Sequence, residues 1–537
     1  MKHLMKYSLF ILLLLTTYSN TEAQKKNQDS RPNIILIMVD DMGYSDLGCY
    51  GSEIETPNLD RLASEGLRLR EFYNNFICAP TRASLLTGQY PHKAGVGYFD
   101  VNLGMPAYQG FLNKESLTIG EILQQAGYST LLSGKWHLGK DSLQHWPNQR
   151  GFDRFYGFLP GASNYFDIGE YGENSPVELI RNNERELLKP GEYLTDKITD
   201  NAIGFIQEQH ASGKPFFLYL AFNAPHWPLQ ARSEDIAKYK GKYDIGWDSL
   251  RTTRLEKQKR LGIIDPNQTL AKRDPEIPKW ANLSYDLRKY WATKMEVYAA
   301  MVDRVDQNIG RLLIALKELE KDENTLIVFI SDNGAQGGFT NPLSTRRWGA
   351  DRNSGPIGTA GSYDYQEQPW AHLSNTPLHS YKGRPYEGGF RTPFIAWFPK
   401  KITGGSIATG TGHLIDLAPT FYQLAGAKYP TTYNHIKPNP LPGKSLLPVL
   451  YGESDKVDRQ EPLFWERAGN RAVRKGKWKI VSIYPSTTWE LYDLEKDRGE
   501  TEDLAALYPE IVRDLAWEYV QWAARTGVTE YETIKPN

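Results

Sequence analysis

The chain has 537 residues, 40% hydrophobic and 24% charged, with 63 Lys and Arg against 64 Asp and Glu for a formal net charge of −1. That length exceeds one average domain and suits several domains, or one large α/β domain with an appendage. Charges of both signs are dispersed, so the basic field that nucleic acid requires is absent, and two cysteines cannot staple a chain of this size.

Lys2 and Lys6 precede an apolar run at 9–15, and Thr21-Glu22-Ala23 offers a small-residue cleavage site. Residues 1–23 therefore predict a signal peptide and an exported, periplasmic or secreted protein. The run is too short to span a bilayer, no cysteine follows it closely, and no later run is long enough, so no membrane anchor is expected.

Residues 34–39 are continuously apolar and rich in Ile, the pattern of a central strand covered on both faces. Asp40 and Asp41 follow at once, and burying two carboxylates is costly unless a cation neutralises them. Thr56-Pro57-Asn58 opens a helix that stops at Gly66. A second helix begins at Cys78-Ala79-Pro80-Thr81-Arg82, with proline in its first turn, and ends at Gly88. Cys78 then lies where backbone N–H groups and the helix dipole favour negative charge, and Arg82 shares its face. Taken alone, Cys78 reads more readily as a small buried core residue, and a disulfide with Cys49 stays open.

Further on, 116–127 predicts a short amphipathic helix with Ile119, Ile122 and Leu123 inward, and 130–132 a buried strand running into Lys135-Trp136-His137. A helix at 194–208 precedes a strand at 216–221, which runs out into Pro225-His226. A charged, irregular stretch extends to about residue 287. A long helix over 290–321 then feeds a strand at 326–330, which ends in Asp332-Asn333-Gly334. A loop of about forty residues closes on Tyr381-Lys382. One more strand follows at 393–398, and composition shifts to Pro, Thr and Asn over 429–442. Beyond it, short strands near 463–493 predict a small antiparallel sheet, backed by a helix over 509–525 with Ile511, Leu515 and Val520 inward. The whole predicts an α/β domain over 31–428, with a large mostly parallel sheet flanked by helices, and an α+β subdomain over 443–537.

Ligands of open parallel sheets bind beyond the carboxyl ends of the strands. Four strands here end in Asp40-Asp41, in Lys135 with His137, in His226 and in Asp332-Asn333. Three carboxylates and an amide suit a hard cation, Ca²⁺ or Mg²⁺, better than zinc. Lys135, His137, His226, Lys382 and Arg82 around it would form a pocket for a compact anion such as a phosphate or sulfate ester.

These residues resemble the type I, formylglycine-dependent sulfatases. Cys78-Ala79-Pro80-Thr81-Arg82 is similar to that family's modification motif, with Thr81 where Ser is usual, and Thr87-Gly88, Asp40-Asp41, Gly134-Lys135-Trp136-His137, Pro225-His226 and Ser331-Asp332-Asn333-Gly334 match in order. The resemblance implies an alkaline-phosphatase-like fold and conversion of Cys78 to formylglycine by a maturation enzyme. It implies a cation on Asp40, Asp41, Asp332, Asn333 and residue 78. Arg82 and Lys135 would steady the nucleophile, His137 would take the proton that releases sulfate, and His226 with Lys382 would bind sulfate and protonate the leaving alcohol. The expected substrate is an external sulfated oligo- or polysaccharide, of algal type such as ulvan or carrageenan. Aromatic residues of the loops 98–112, 223–290 and 334–381 (Tyr98, Phe99, Tyr108, Trp227, Trp247, Trp348, Tyr363, Tyr365 and Trp370) either stack on sugar or pack the loops. A phosphatase or phosphonate hydrolase, and a Ca²⁺-dependent glycan-binding protein without activity, are the alternatives.

Overall fold

A computed structural model describes residues 30–168, 177–338 and 354–535. Residues 1–23 and Trp348 lie outside them. The large sheet is built from β1 (Asn33–Val39), β2 (Leu67–Tyr73), β3 (Ser129–Lys135), β4 (Arg154–Phe158), β5 (Leu179–Arg181), β6 (Glu184–Glu186), β7 (Phe216–Ala221), β8 (Thr325–Ser331), β9 (Phe394–Trp397) and β10 (Ser406–His413). Its order is β10-β2-β9-β8-β1-β7-β3-β4-β5-β6. The four central strands β8, β1, β7 and β3 run parallel, while β9 and the β5–β6 edge pair antiparallel.

β1 shows why the centre was readable. Ile35, Ile37 and Val39 pack on one face with the helices Pro57–Glu65, Leu194–His210 and Tyr285–Glu318. Ile34, Leu36 and Met38 pack on the other with the helices Cys78–Thr87, Ile119–Gln125 and Leu417–Ala425. The residues of β1 from Ile34 to Val39 are thus apolar on both sides, alternating between the two helical layers.

Three sequence expectations change. The stretch before 287 contains the helices Ser233–Tyr239 and Gly246–Arg260, and the long loop before Lys382 contains the helix Glu367–Ser374. The inward face of Gly246–Arg260 sets Arg251, Arg254 and Gln258 among Trp247, Leu250 and Leu255, with Arg254 bonding Asp46 and Glu53 at 2.7–2.9 Å, so the apolar periodicity is broken. The C-terminal helix Pro509–Thr526 turns Leu515, Tyr519 and Trp522 inward, whereas Val520 is half exposed. Tyr519 and Trp522 take its place because the helix lies on the aromatic face of the second sheet.

That sheet is antiparallel, β11 (Leu463–Arg467), β12 (Asn470–Lys475), β13 (Trp478–Ser482) and β14 (Glu490–Asp493). It packs Leu463, Trp465 and Ile480 against Tyr73, Phe76 and Phe390 of the large unit. The Trp465 indole donates to the Asn74 carbonyl at 2.7 Å and stacks on Phe390 at 4.7 Å. The small sheet therefore braces the segment that enters the Cys78 helix.

Candidate active site

Because β8, β1, β7 and β3 are parallel neighbours, their carboxyl ends emerge side by side, carrying Asp332-Asn333, Asp40-Asp41, His226 and Lys135 with His137. The helix Cys78–Thr87 starts at Cys78 from the extended Ile77 and stops at Gly88, whose φ is 65°. It lies against the same edge, with Cys78 buried and Arg82 fully so. Both cysteines are free thiols, so the Cys49–Cys78 disulfide does not form.

The site is a lattice of opposite charges. Lys135 Nζ donates to Asp40 Oδ2 at 2.5 Å. Arg82 donates to Asp332 Oδ2 at 3.0 Å and lies 3.4 Å from Asp40 Oδ2. Lys382 Nζ and the Asn333 amide donate to Asp41 Oδ1 at 2.5 and 2.6 Å. The Asp41 N–H donates to Asp332 Oδ1 at 3.2 Å, which fastens β1 to β8 beyond their last ladder bond. Lys382, at the end of the long connection, thus joins residues from the first strand.

Three oxygens remain. Asp40 Oδ1, Asp41 Oδ2 and Asn333 Oδ1 are buried and accept no hydrogen bond. Buried acceptors are nearly always satisfied, so three together mark a place where a cation belongs. One ligand atom each of Asp40, Asp41 and His226 lie within 4.8 Å of one another. The donors left over are mainly carboxylate and amide oxygen, which fits a hard divalent cation.

Burial raises the Cys78 thiol, but Lys135, His137 and Lys382 outweigh it and bring it down to about 6. Burial likewise opposes ionisation of Asp40, and Lys135, His226 and Arg82 overcome it, holding Asp40 well below the carboxylate range. Asp332 goes the other way, raised by burial and by the charge of Asp40.

The two histidines differ. His226 Nδ1 lies 2.6 Å from the Trp227 carbonyl, which can only accept, so the ring proton sits on Nδ1. Nε2 is left 3.5 Å from Asp41 Oδ2. Burial lowers His226 to about 4, against the pull of Asp41 and Asp40. His137 has φ 62°. Burial disfavours its cation, but Cys78 and Asp100 outweigh that and raise it. Asp100 Oδ1 is 3.6 Å from His137 Nε2, and Lys140 Nζ is 3.4 Å from Asp100 Oδ2. Asp100 was not anticipated, since nothing in its own stretch marks it and its partner lies 37 positions on.

Every anticipated site residue (Cys78, Arg82, Lys135, His137, His226, Lys382, Asp40, Asp41, Asp332 and Asn333) is buried at this one edge. The loop aromatics divide. Tyr108, Trp227, Trp247, Tyr363, Tyr365 and Trp370 are buried, with Trp247 edge-on to both Trp280 and Trp370. Tyr98 and Phe99 are partly exposed, and Phe99 packs edge-on to His137 at 5.3 Å between centroids.

A family model described as Sulfatase matches residues 32–427, and one described as N-sulphoglucosamine sulphohydrolase, C-terminal, matches residues 381–521. An uncharacterized sulfatase of Schizosaccharomyces pombe is 36% identical over 535 residues, covering 94% of this chain and 95% of its own. An arylsulfatase of Klebsiella aerogenes is 36% identical over 435 residues, covering 79% and 91%. Among solved structures, Ps i-CgsB in complex with k-i-k-neocarrahexaose superposes with a TM-score of 0.68 at 29% identity, over 94% of this chain and 100% of that one. That likeness agrees with the alkaline-phosphatase-like arrangement expected for the large sheet.

Proposed function

Because the chain belongs to the sulfatase family and is a sulfatase acting on sulfate esters of carbohydrates, we propose that it works through formylglycine made from Cys78, with Ca²⁺ ahead of Mg²⁺ as its cation. The carrying observation is the group of buried oxygens without hydrogen-bond partners beside a cysteine held among Lys135, His137 and Lys382. Asp40, Asp41, Asp332, Asn333 and residue 78 would hold the cation, which supplies charge to acidify the nucleophile and to grip sulfate oxygens. Formylglycine supplies, as its hydrate, an oxygen nucleophile and a second hydroxyl through which sulfate is expelled.

The chain's own groups do the rest. Lys135 and Arg82, pinned by Asp40 and Asp332, keep positive charge against residue 78. His137, with Nε2 3.6 Å from Asp100 Oδ1, takes the proton whose loss releases sulfate. Lys382 and His226 bind sulfate from the Asp41 side. His226 Nδ1 is fixed on Trp227, so any proton it passes to the leaving alcohol sits on Nε2, and an arriving sulfate anion favours that protonated state.

The substrate reading stays with a sulfated algal polysaccharide such as carrageenan or ulvan, supported by the likeness to a protein solved with a neocarrahexaose. Export follows from the signal-like residues 1–23. Cys78→Ala abolishes turnover of 4-methylumbelliferyl sulfate with an unchanged circular dichroism spectrum, and activity retained in the variant refutes the mechanism. Peptide mass spectrometry of the enzyme from its native host finds formylglycine at 78 and a mature terminus near Gln24. Chelation lowers activity and Ca²⁺ restores it, whereas rescue by Zn²⁺ alone contradicts the oxygen site.

A further inference from the structure

We propose that Arg467, carried in by the small antiparallel sheet and laid on Tyr98 and Phe99, is a subsite for a second anionic group of the substrate, a sulfate or carboxylate on the saccharide next to the ester that is cleaved. The proposal rests on the sulfatase reading above and adds a substrate class to it: saccharides carrying more than one negative charge.

Arg467 is the last residue of β11, at the turn into β12. That turn has Ala468 at φ 52° and Gly469 at φ 79°, the paired left-handed geometry of a tight hairpin. Strand alternation separates Arg467 from its acidic neighbour, because Glu466 turns to the opposite face and meets His92 at 2.7 Å. The Arg467 guanidinium lies 5.1 Å from the Tyr98 ring centroid and 5.5 Å from that of Phe99. Phe99 in turn packs on His137 at 5.3 Å. One ring thus separates the guanidinium from a residue of the sulfate pocket.

Its partners are unusual. Among the described residues Arg467 makes no ion pair, and its buried Nε has no hydrogen-bond partner. Asp100, one residue beyond Phe99, is already engaged by His137 and Lys140. Stacking on aromatic faces fixes the guanidinium plane without using its in-plane N–H donors. Those donors match the two oxygens of a carboxylate or sulfate in a bidentate pair. Tyr98 is itself backed by Tyr531 at 6.1 Å, so the platform is held from behind. Burial lowers the guanidinium, but Tyr98 and the nearby Cys78 oppose this. A cation so placed is an expense to the fold that an anion would relieve.

The test compares three probes: 4-methylumbelliferyl sulfate, a disaccharide with one sulfate ester, and the same disaccharide with a second sulfate or a uronate carboxylate. The wild-type enzyme is expected to favour the doubly anionic disaccharide over the singly sulfated one by tenfold or more in kcat/KM. Arg467→Gln lowers that preference at least tenfold, and Arg467→Lys retains part of it. Equal preference for both disaccharides in the wild type overturns the subsite, as does an equal loss on every probe in Arg467→Gln, which would mark a packing role. Preference for sulfate over carboxylate, or the reverse, identifies the second group. Failure of the wild type on all three probes, with formylglycine present, is the separate outcome that brings down the formylglycine-sulfatase reading and this one with it.

Discussion

At the scale of single residues, the site depends on what is missing as much as on what is present. Gly161 lies against the His137 ring so closely that a Cβ there would sit 2.6 Å from Nε2 and 2.7 Å from Cε1. Its backbone does not require glycine for a left-handed φ, so the constraint is the ring. Gly161→Ala therefore displaces His137 from Asp100 while leaving the core alone. The expected result is a fall in kcat on 4-methylumbelliferyl sulfate of roughly 100-fold, the scale of a lost proton-transfer group, with a melting temperature within a few degrees of wild type. Normal kcat would show that the imidazole does not need its present place. His137 was legible in the sequence as the residue after a strand end, whereas Gly161 and Asp100 become visible only when the loops that hold them close on that ring.

At the scale of elements, legibility follows the partner of each face. β1, β7 and β8 are apolar on both faces, and continuous apolar runs announced them, whereas β3 showed only its short Thr130-Leu131-Leu132 core. β2 was hidden because Arg68 and Glu71 interrupt it, although both are buried. Glu71 accepts from Arg474 at 2.6 Å and also pairs with Arg498, residues more than four hundred positions away. No local pattern can encode such a match. The entry to the helix Leu417–Ala425 gives a second case. His413 is buried, accepts the Ile415 N–H on Nδ1 at 3.3 Å and meets Trp465 edge-on at 5.6 Å. Burial and the nearby Arg459 push it well below the usual imidazole value. A histidine lowered by folding stabilises the native state above its unfolded value near 6.5, and that contribution is lost progressively as pH falls below it. His413→Asn keeps an acceptor for the Ile415 N–H but cannot titrate. It is expected to be less stable than wild type at pH 7.5 and to show a flatter loss between pH 6.5 and 5, read from urea midpoints. Parallel acid limbs in the two proteins would contradict the assignment.

At the scale of the whole molecule, the two sheets are joined by buried charge as well as by aromatic packing. Lys479 on β13 donates to Glu387 at 3.0 Å and to Glu500 at 2.5 Å, all three fully or nearly buried. Burial and the neighbouring Glu387 raise Glu500 to about 8, so two carboxylates share one ammonium and the second ionises late. Glu387 lies five residues after Lys382, so the junction stands close in the chain to the lysine that pairs with Asp41. Lys479→Met leaves Glu387 to Tyr73 and Arg391 and Glu500 to the Glu387 N–H, and removing the ammonium they share is expected to cost about 3 kcal/mol, the low end for breaking a buried pair. Chemical denaturation measures it. A cost below 1 kcal/mol would mean that the carboxylates find water or protons without strain.

The sheet order has a further consequence, in time. β1 pairs with β7 and β8, whose partner residues lie about 180 and 290 positions later in the chain. Pairings of such sequence separation form late, because long loops must close before any contact rewards them. During synthesis the first strand therefore waits for the last of its neighbours, and the Cys78 segment waits with it. Once the edge closes, Cys78 is only 2% exposed, with Arg82, Lys135 and Lys382 around it. If residue 78 is converted to formylglycine as proposed above, a protein catalyst that must grasp the thiol would have its opportunity on the growing or unfolded chain. The active fraction of a preparation would then be set by a race between closure and modification, which slower elongation or lower temperature would shift.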